Sequence, residues 1–355
     1  MSKVSMDDIA RKVGLSKNTV SLALRGMPGI SAGTRVIISR TAQEMGYHYK
    51  QAGADKWPAS RNLCIIVPTL ANDRQGFFAH IQLGIEQEAK KHHFNTIFHS
   101  YEENAEVFEL PLCMREGLVS GIISVGRVSE KTVSVIGRCG IPFVITDHYL
   151  ENLREDCVLT DNIQSARFAT EYLIEKGHHD IGFIGDIGAA VSFRDRYLGF
   201  LNAMAKHGLP VNEQYCISHA GLDGTICLDQ AIAVSELENM HGLPTAFFCA
   251  NDAGAIALYR ALFQMGVSIP GTVSVMGFDD ADISGLVTPE LTTMRVHKEL
   301  MGRKAFLRLI AKIHDRKVVP ERLLLAAELV ERQSVRDLTA SIPAPDRMRL
   351  CAGCP

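Results

Sequence analysis

The sequence lacks the features of a membrane or secreted protein. No stretch approaches about eighteen consecutive uncharged apolar residues, which excludes a membrane-spanning helix. The N-terminus, with Asp7 and Asp8 among its first ten residues, has no apolar signal-peptide core. Aromatic residues are scarce, at 7%, and Trp57 is the only tryptophan. We therefore expect a cytoplasmic protein without a membrane partner.

The sequence also lacks a catalytic or cofactor-binding motif. The first apolar strand is followed by Pro68-Thr-Leu-Ala-Asn-Asp, which has neither the glycine pattern of a dinucleotide site nor a phosphate-binding loop. The thirteen histidines include the pairs His92-His93 and His178-His179, but adjacent residues do not share a helix face. No Ser/His/Asp or Cys/His arrangement stands out. We predict no enzyme, no catalytic residue and no cofactor.

The nine cysteines do not form a metal-binding pattern. Cys64, Cys157 and Cys249 lie inside apolar runs, where a reduced cysteine is a small buried apolar residue. Cys351 and Cys354 form one Cys-x-x-Cys pair with no second pair or histidine nearby. We predict no metal site.

Positive charge is concentrated at the N-terminus. Residues 1–61 hold ten Lys and Arg against four Asp and Glu, a net charge of +6, whereas the remaining residues carry −9. A chain of 355 residues is long enough for two or three domains. A small basic head on a large acidic body indicates that the head alone binds a polyanion.

The head is predicted to contain three short helices. Ser5, Ser16 and Ser31 are placed to cap helices that begin at Met6, Lys17 and about Ala32, and glycines end the first and third. Leu15 is expected to pack inward, together with a small core of residues at helical spacing. That core comprises Ile9, Ala10, Val13, Val20, Leu24, Val36, Ile37 and Met45. Two short helices joined by a turn, with a third closing the core, form a helix-turn-helix.

Two stretches of the head resemble the lactose-repressor family of regulators. They are Val4-Ser-Met-Asp-Asp-Ile-Ala-Arg-Lys-Val-Gly-Leu-Ser-Lys-Asn-Thr-Val-Ser-Leu-Ala-Leu-Arg-Gly and the segment from Ile30-Ser-Ala-Gly-Thr-Arg through Met45-Gly-Tyr. The resemblance extends to about residue 335. It implies that the second helix enters the major groove of a pseudo-palindromic operator bound by a homodimer, and that a hinge enters the minor groove. The predicted DNA contacts are Ser16, Lys17, Asn18, Thr19, Ser21, Leu22, Arg25, Ser31, Thr34, Tyr47 and Lys56.

The sequence departs from this family at two places. Relatives often have Arg where this chain has Leu22, and Leu offers a base only apolar contact. The hinge contains Gly53, which weakens a helix, and Lys56 at the position of the expected leucine wedge. Trp57 either inserts into the minor groove or packs on the body.

The body alternates apolar strands with amphipathic helices, which predicts α/β architecture with parallel sheets and helices on both faces. The strand candidates are Leu63–Val67, Thr96–His99, Gly121–Val125, Phe143–Thr146, Cys157–Thr160, Ile181–Ile184, Ala246–Cys249 and Val273–Gly277. The resemblance implies two lobes like those of periplasmic sugar-binding proteins. The expected division is a head over 1–48, a hinge over 49–61, lobe one over 62–160 and 291–322, lobe two over 161–290 and 323–338, and a tail over 339–355.

Polar residues follow several of these strands, where open α/β sheets bind ligands. The candidate effector-binding residues are Phe77, Asp147, Asp161, Phe193, Arg196, Asn251 and Asp279, with Arg196 just before a helix. By resemblance, Asp161, Arg196, Asn251 and Asp279 match positions that hold the effector in the family. Carboxylates and a guanidinium suit a ligand rich in hydroxyls, which favours a sugar. Each polar residue could instead cap a helix, and Asp252 and Asp280 are equally consistent with that role. A purine or another metabolite acting as corepressor is the alternative effector, whereas the head argues against a solute-binding transport protein.

Overall fold

The computed structural model describes residues 4–24, 30–45, 47, 60–69, 76–102, 108–218, 230–315 and 317–339. The chain divides into two compact units, Met1–Ala59 and Ser60–Pro355. Arg25, Lys56, Trp57 and the Cys351/Cys354 pair lie outside the described residues, as does nearly all of the predicted hinge. Within the described ranges, no helix is both long and apolar enough to cross a membrane.

The described part of the head contains three helices, α1 (Met6–Val13), α2 (Lys17–Leu24) and α3 (Ala32–Glu44). The Ser5 hydroxyl accepts a hydrogen bond from the Asp8 amide, and the Asp8 carboxylate accepts one from the Ser5 amide. The hydroxyls of Ser16 and Ser31 likewise accept the amides three residues further on, at 3.0 and 3.2 Å. The predicted helices and their serine caps are therefore confirmed.

The head core differs from the prediction in the third helix. Val36 and Ile37 are 66% and 58% exposed, whereas Ile38 and Ala42 are buried. Because Val36, Ile37 and Ile38 are all apolar, the sequence does not show which of them lies on the buried face of α3. In the structure it is Ile38. Leu15, which was predicted to pack inward, lies in the turn between α1 and α2 and is exposed.

The described body contains β1 (Asn62–Pro68), β2 (Asn95–Tyr101), β3 (Gly121–Val125), β4 (Phe143–Thr146), β5 (Asp156–Thr160), β6 (Ile181–Ile184), β7 (Cys216–Ile217), β8 (Ala246–Cys249), β9 (Ser274–Asp279), β10 (Thr292–Arg295), β11 (Arg322–Leu325) and β12 (Glu328–Val330). The first sheet has the order β11-β5-β4-β3-β1-β2 and is parallel throughout. The second has the order β12-β10-β9-β8-β6-β7, with only β12 antiparallel. We call the regions built on these sheets lobe one and lobe two.

The helices of the described body are α4 (Phe77–Lys91), α5 (Leu112–Arg115), α6 (Glu130–Arg138), α7 (Asn162–Glu175), α8 (Val191–Lys206), α9 (Gln230–Glu238), α10 (Asp252–Gln264) and α11 (Lys298–His314). They cover both faces of the sheets. Leu63 and Ile65 of β1 belong to one buried apolar cluster, and Cys64 and Ile66 of the same strand belong to another. The predicted fold class is confirmed.

Two of the chain crossings between lobes fall later than the sequence indicated. Strand β10 pairs with β9 in the second sheet, so the chain returns to lobe one only after Arg295. Strand β11 pairs with β5 in the first sheet, so the chain leaves lobe one again only after Leu325. The prediction put these changes at 290/291 and 322/323. It recognised neither β10 nor β11 as a strand and therefore had no pairing to place them.

Two glycines allow helices that carry site residues to pack very closely. A Cβ at Gly84 of α4 would lie 2.1 Å from the Glu299 carbonyl oxygen of α11, and one at Gly199 of α8 would lie 2.3 Å from the Ile163 carbonyl oxygen of α7. Any side chain at either position would force the helices apart. The first contact packs the middle of α4 against the start of α11, and the second packs the middle of α8 against the start of α7.

Candidate functional site

Arg196 is at the centre of the candidate site in lobe two. Its side chain is 2% exposed. The Nε group donates to Asn162 Oδ1 at 2.9 Å, and Nη1 donates to the Ala250 carbonyl oxygen at 2.6 Å. Arg196 is within α8 rather than before it, because the helix already begins at Val191. The guanidinium therefore joins three segments: the starts of α7 and α8 and the end of β8.

Asp279, the last residue of β9, provides the counter-charge. Its carboxylate lies 3.0 Å from Arg196 Nη1. Burial raises the pKa of Asp279, and the positive charges of Arg196 and Lys298 oppose that rise. Its backbone has a φ of 114°, a left-handed value that is uncommon outside glycine. Such backbone strain is typical of ligand-binding and switch regions.

Asp147 brings a second carboxylate from lobe one. It follows β4 and also has a left-handed backbone, with φ 58°. Burial raises the pKa of Asp147 to about 7; the charge of Arg196 opposes this rise, and the negative charge of Asp279 adds to it. The charges of Arg196 and Asp279, both in lobe two, therefore act on Asp147 of lobe one. We call these three residues the cleft cluster.

Aromatic rings border the cleft cluster on both lobes. The Arg196 guanidinium lies 3.8 Å from the ring centroid of Phe278 and 5.9 Å from that of Phe193. Both rings are almost fully buried, so Phe193 packs in the core rather than presenting a free face. Phe77 of lobe one is half-buried, and Lys298 Nζ lies 5.6 Å from its ring centroid. Lys298 Nζ also donates to the carbonyl oxygens of Asp279 and Asp280.

Asp161 and Asn251 act as helix caps in this structure. Asp161 Oδ1 accepts from the Gln164 amide at the start of α7, at 3.3 Å, and Asn251 Oδ1 accepts from the Gly254 amide at the start of α10, at 2.9 Å. Each cap adjoins a residue that anchors Arg196, namely Asn162 or Ala250. Both predicted residues therefore lie beside the cleft cluster, with one oxygen committed to a helix end.

Asp252 and Asp280 have internal partners that assign them to the fold. The fully buried Asp252 carboxylate accepts from the Ala281 amide and the hydroxyls of Ser284 and Thr293, each at 2.7 Å. Asp280 pairs with Arg295 and Arg332, also at 2.7 Å. These carboxylates hold the β9–β10 region together next to Asp279.

Several residues at the site were not foreseen. Asn162 and Lys298 hold Arg196 and Asp279 in place, and Tyr149 and Asp195 join the lobes by a hydrogen bond of 2.9 Å. Asn162 directly follows the predicted Asp161, which was the available signal. Lys298 begins α11, a helix that the sequence analysis did not identify.

The exposed face of α2 is the candidate DNA-binding surface of the head. Val20 and Ala23 are buried, Lys17 and Asn18 are exposed, and the remaining α2 candidates, Thr19, Ser21 and Leu22, are half-buried. Lys17 Nζ pairs with Asp7 at 2.7 Å on the open surface, where such a pair contributes little.

The hydroxyls at the starts of α2 and α3 are engaged locally. Ser16 and Ser31 hydrogen-bond the hydroxyls of Thr19 and Thr34, each at 2.8 Å. Tyr47 is half-buried against the head core. The hydroxyl groups of Ser16, Thr19, Ser31 and Thr34 lie at helix N-termini, where backbone amides and the helix dipole favour binding of a phosphate.

Comparisons with known proteins identify both parts of the chain. Residues 5–49 match the model of bacterial regulatory proteins of the lacI family, and residues 170–335 match that of a periplasmic binding protein-like domain. The chain is 28% identical to the HTH-type transcriptional repressor PurR of Vibrio parahaemolyticus, over 94% of this chain and 99% of the relative. It is 27% identical to the ribose operon repressor of Haemophilus influenzae, with the same coverage.

Solved structures have the same fold. The transcriptional regulator CelR in complex with cellobiose aligns with a TM-score of 0.66 at 23% identity, covering 94% of this chain and 100% of CelR. A lacI-family regulator of Enterococcus faecium with bound ribose gives 0.66 at 25% identity, over 78% and 99%. The Lac repressor dimer bound to operator gives 0.65 at 21% identity, over 94% and 100%. The chain thus carries a lacI-family helix-turn-helix domain and a periplasmic binding protein-like domain, and its relatives are lacI-family repressors.

Proposed function

We propose that this protein is a cytoplasmic transcriptional repressor that binds a pseudo-palindromic operator as a dimer, and that a sugar bound between its lobes changes its operator affinity. The carrying observation is the cleft cluster, in which the charges of Arg196 and Asp279 of lobe two act on Asp147 of lobe one. Relatives named as repressors, and structures of similar fold with bound ribose or cellobiose, support the proposal. The proposal includes no catalytic role and keeps the predicted head over 1–48, hinge over 49–61 and tail over 339–355.

The cleft cluster has the chemistry to hold a hydroxyl-rich ring. The carboxylates of Asp147 and Asp279 accept hydrogen bonds from ligand hydroxyls. Arg196 Nη2 is hydrogen-bonded to none of the described residues, which leaves two N–H groups to donate to a ligand. Phe77 is a half-buried aromatic ring on the lobe-one side, close to Lys298, and we propose that it packs against a sugar face.

Coupling between ligand and DNA requires a ligand that binds one arrangement of the lobes better than another. To change operator occupancy from nearly full to nearly empty, that difference must reach roughly 5 kcal/mol. Hydrogen bonds to charged groups contribute about 1.5–3 kcal/mol each, so two or three formed in only one arrangement suffice. Groups from both lobes meet in the cleft cluster, so the number of ligand contacts depends on how the lobes are arranged.

A dimer is required because one helix-turn-helix reads half a site. Phe263 on α10 is 87% exposed, and Leu286 after the 3-10 turn Asp282–Gly285 is 76% exposed. Phe263 lies one turn after Tyr259, whose hydroxyl donates to the Pro289 carbonyl oxygen at 3.2 Å, so α10 is close to the segment that carries Leu286. We propose that a second copy of this chain covers this apolar surface of lobe two.

Light scattering with reductant tests the dimer. The chain should show about twice its 39.0 kDa mass, and Phe263→Asp should shift it toward the monomer. Val319→Asp, at a 74% exposed position of lobe one, is the control and should remain dimeric. A mass near four chains for the unaltered protein, or a dimer unaffected by Phe263→Asp, would contradict the assignment.

A ligand screen tests the effector site. Thermal unfolding is measured with D-ribose, cellobiose, D-glucose, D-glucose 6-phosphate and hypoxanthine, and we expect a sugar to raise the midpoint. Arg196→Lys keeps the charge but removes the planar donor fork, so it should abolish the shift, whereas Arg138→Lys on exposed α6 should retain it. A shift by hypoxanthine alone would favour the purine corepressor, and a shift that survives Arg196→Lys would place the ligand elsewhere.

A further inference from the structure

The two lobes are joined at the rim of the cleft by a polar contact that involves no candidate ligand group. The loop between β4 and β5 carries Tyr149, whose hydroxyl donates to Asp195 Oδ1 of α8 at 2.9 Å. The same hydroxyl accepts from Arg194 Nη2 at 3.3 Å, and Arg194 pairs with Glu151 of that loop at 2.7 Å. One short loop of lobe one is thus linked to the first turns of one helix of lobe two.

The Tyr149 ring is held on lobe one independently of this contact. The guanidinium of Arg322, at the start of β11, lies 4.7 Å from the ring centroid. A second link joins the lobes nearby, where Arg127 Nη1 donates to the Ala189 carbonyl oxygen at 2.5 Å. The Tyr149 hydroxyl therefore extends from an anchored ring toward α8.

Both partners of the contact are the sequence neighbours of cleft-cluster residues. Tyr149 comes two residues after Asp147, and Asp195 directly precedes Arg196. We propose that Tyr149 and Asp195 form an inter-lobe latch that positions Asp147 against Arg196 and holds the cleft closed when no ligand is bound. The proposal rests on the proposed function only in assigning the closed cleft to ligand binding.

The hydroxyl–carboxylate bond contributes most of the latch. Arg194 and Glu151 have 38% and 63% exposed side chains, and ion pairs so open to water contribute little. Tyr149 and Asp195 are half-buried, and burial raises the pKa of both. A hydrogen bond to a carboxylate in that environment is among the stronger ones in proteins.

Tyr149→Phe tests the latch because it removes the hydroxyl and keeps the ring stacked on Arg322. Hydrogen–deuterium exchange of the ligand-free full chain is followed in peptides that cover residues 147–155 and 189–196. Loss of one charge-assisted hydrogen bond should speed exchange in both by about tenfold. Tyr197→Phe is the matched control on α8, since the Tyr197 hydroxyl hydrogen-bonds to no described residue, and it should leave both peptides unchanged.

A general loss of stability would give a different pattern. In that case β3 and β8 in the sheet interiors would also exchange faster, whereas opening the latch leaves them unaltered. Asp195→Asn retains an acceptor for Tyr149 and should have a smaller effect than Asp195→Leu. Unchanged exchange in Tyr149→Phe, or acceleration that includes the sheet interiors, would overturn the latch. The experiment contains neither DNA nor ligand, so its outcome does not depend on whether the proposed function is correct.

Discussion

Replacing Arg196 with Met should destabilise the body strongly. Met is similar in length and apolar, so it fills much of the space and removes the donors to Asn162 and the Ala250 carbonyl. It also leaves Asp279, 13% exposed, without its counter-charge at 3.0 Å. Breaking a buried ion pair from one side costs about 3–5 kcal/mol, and we expect the free energy of unfolding to fall by that amount.

The double variant Arg196→Met/Asp279→Asn should recover about half of this loss. Asn has no charge to bury and tolerates the left-handed backbone of position 279 better than most residues do. Urea unfolding followed by far-UV circular dichroism gives the four free energies of the double-mutant cycle. Arg138→Met, at an exposed position of α6, is the control, with an expected change below about 0.5 kcal/mol.

Two results would refute this reasoning. A loss below about 1 kcal/mol for Arg196→Met would mean that the ion pair does not bear on stability. A double variant as unstable as the sum of the two single variants would mean that Arg196 and Asp279 are not coupled.

Three further predictions concern the head, the helix packing and a buried carboxylate. Leu22→Arg should create a preference for guanine at one symmetric pair of operator positions, by about 1–3 kcal/mol; selection from random DNA that gives the same motif for both proteins would disprove it. Gly199→Ala should lower stability by at least about 2 kcal/mol, because the added Cβ would lie 2.3 Å from a backbone oxygen. Gly137→Ala on α6 has open space around the added Cβ and should raise stability by about 0.5–1 kcal/mol. Thermal unfolding that ranks the two variants the other way would contradict the packing. The raised pKa of Asp147 means that the folded state holds this proton more tightly than the unfolded state, so stability falls as pH rises from about 4 to about 7. Asp147→Asn should therefore stabilise the protein most above about pH 7. An equal gain in urea unfolding at every pH would exclude the ionisation of Asp147 as the cause.

The head could be predicted closely because its signals are local. A serine before each helix accepts an amide three residues later, and this needs no knowledge of the rest of the fold. The buried side of α3 depends instead on contacts with α1 and α2. Consecutive apolar residues at 36–38 therefore predicted the wrong members of the core.

The cleft cluster could be predicted only in part. The residue types after the strands were recognised, but α8 begins at Val191 with Ala190 before it and no side-chain cap, so the sequence held no signal for its start. Asp161 and Asn251 cap helices through amides only three residues further on, a role that the sequence left open beside ligand binding. The partners of Asp252 and Asp280 are distant in sequence, so their roles could not be predicted. Lys298 and Tyr149 could not be found because their partners lie in other segments.

The central claim is that a ligand in the cleft cluster controls operator binding. Its most direct test is fluorescence anisotropy of an operator selected from random DNA, titrated with the full chain and with Arg196→Lys, each with and without the sugar found by thermal shift. We predict that the unaltered chain changes its operator affinity at least about a hundredfold with the sugar, and that Arg196→Lys binds the same operator equally well but does not respond. An equal response in both proteins, or no sequence preference in the DNA selection, would contradict the account.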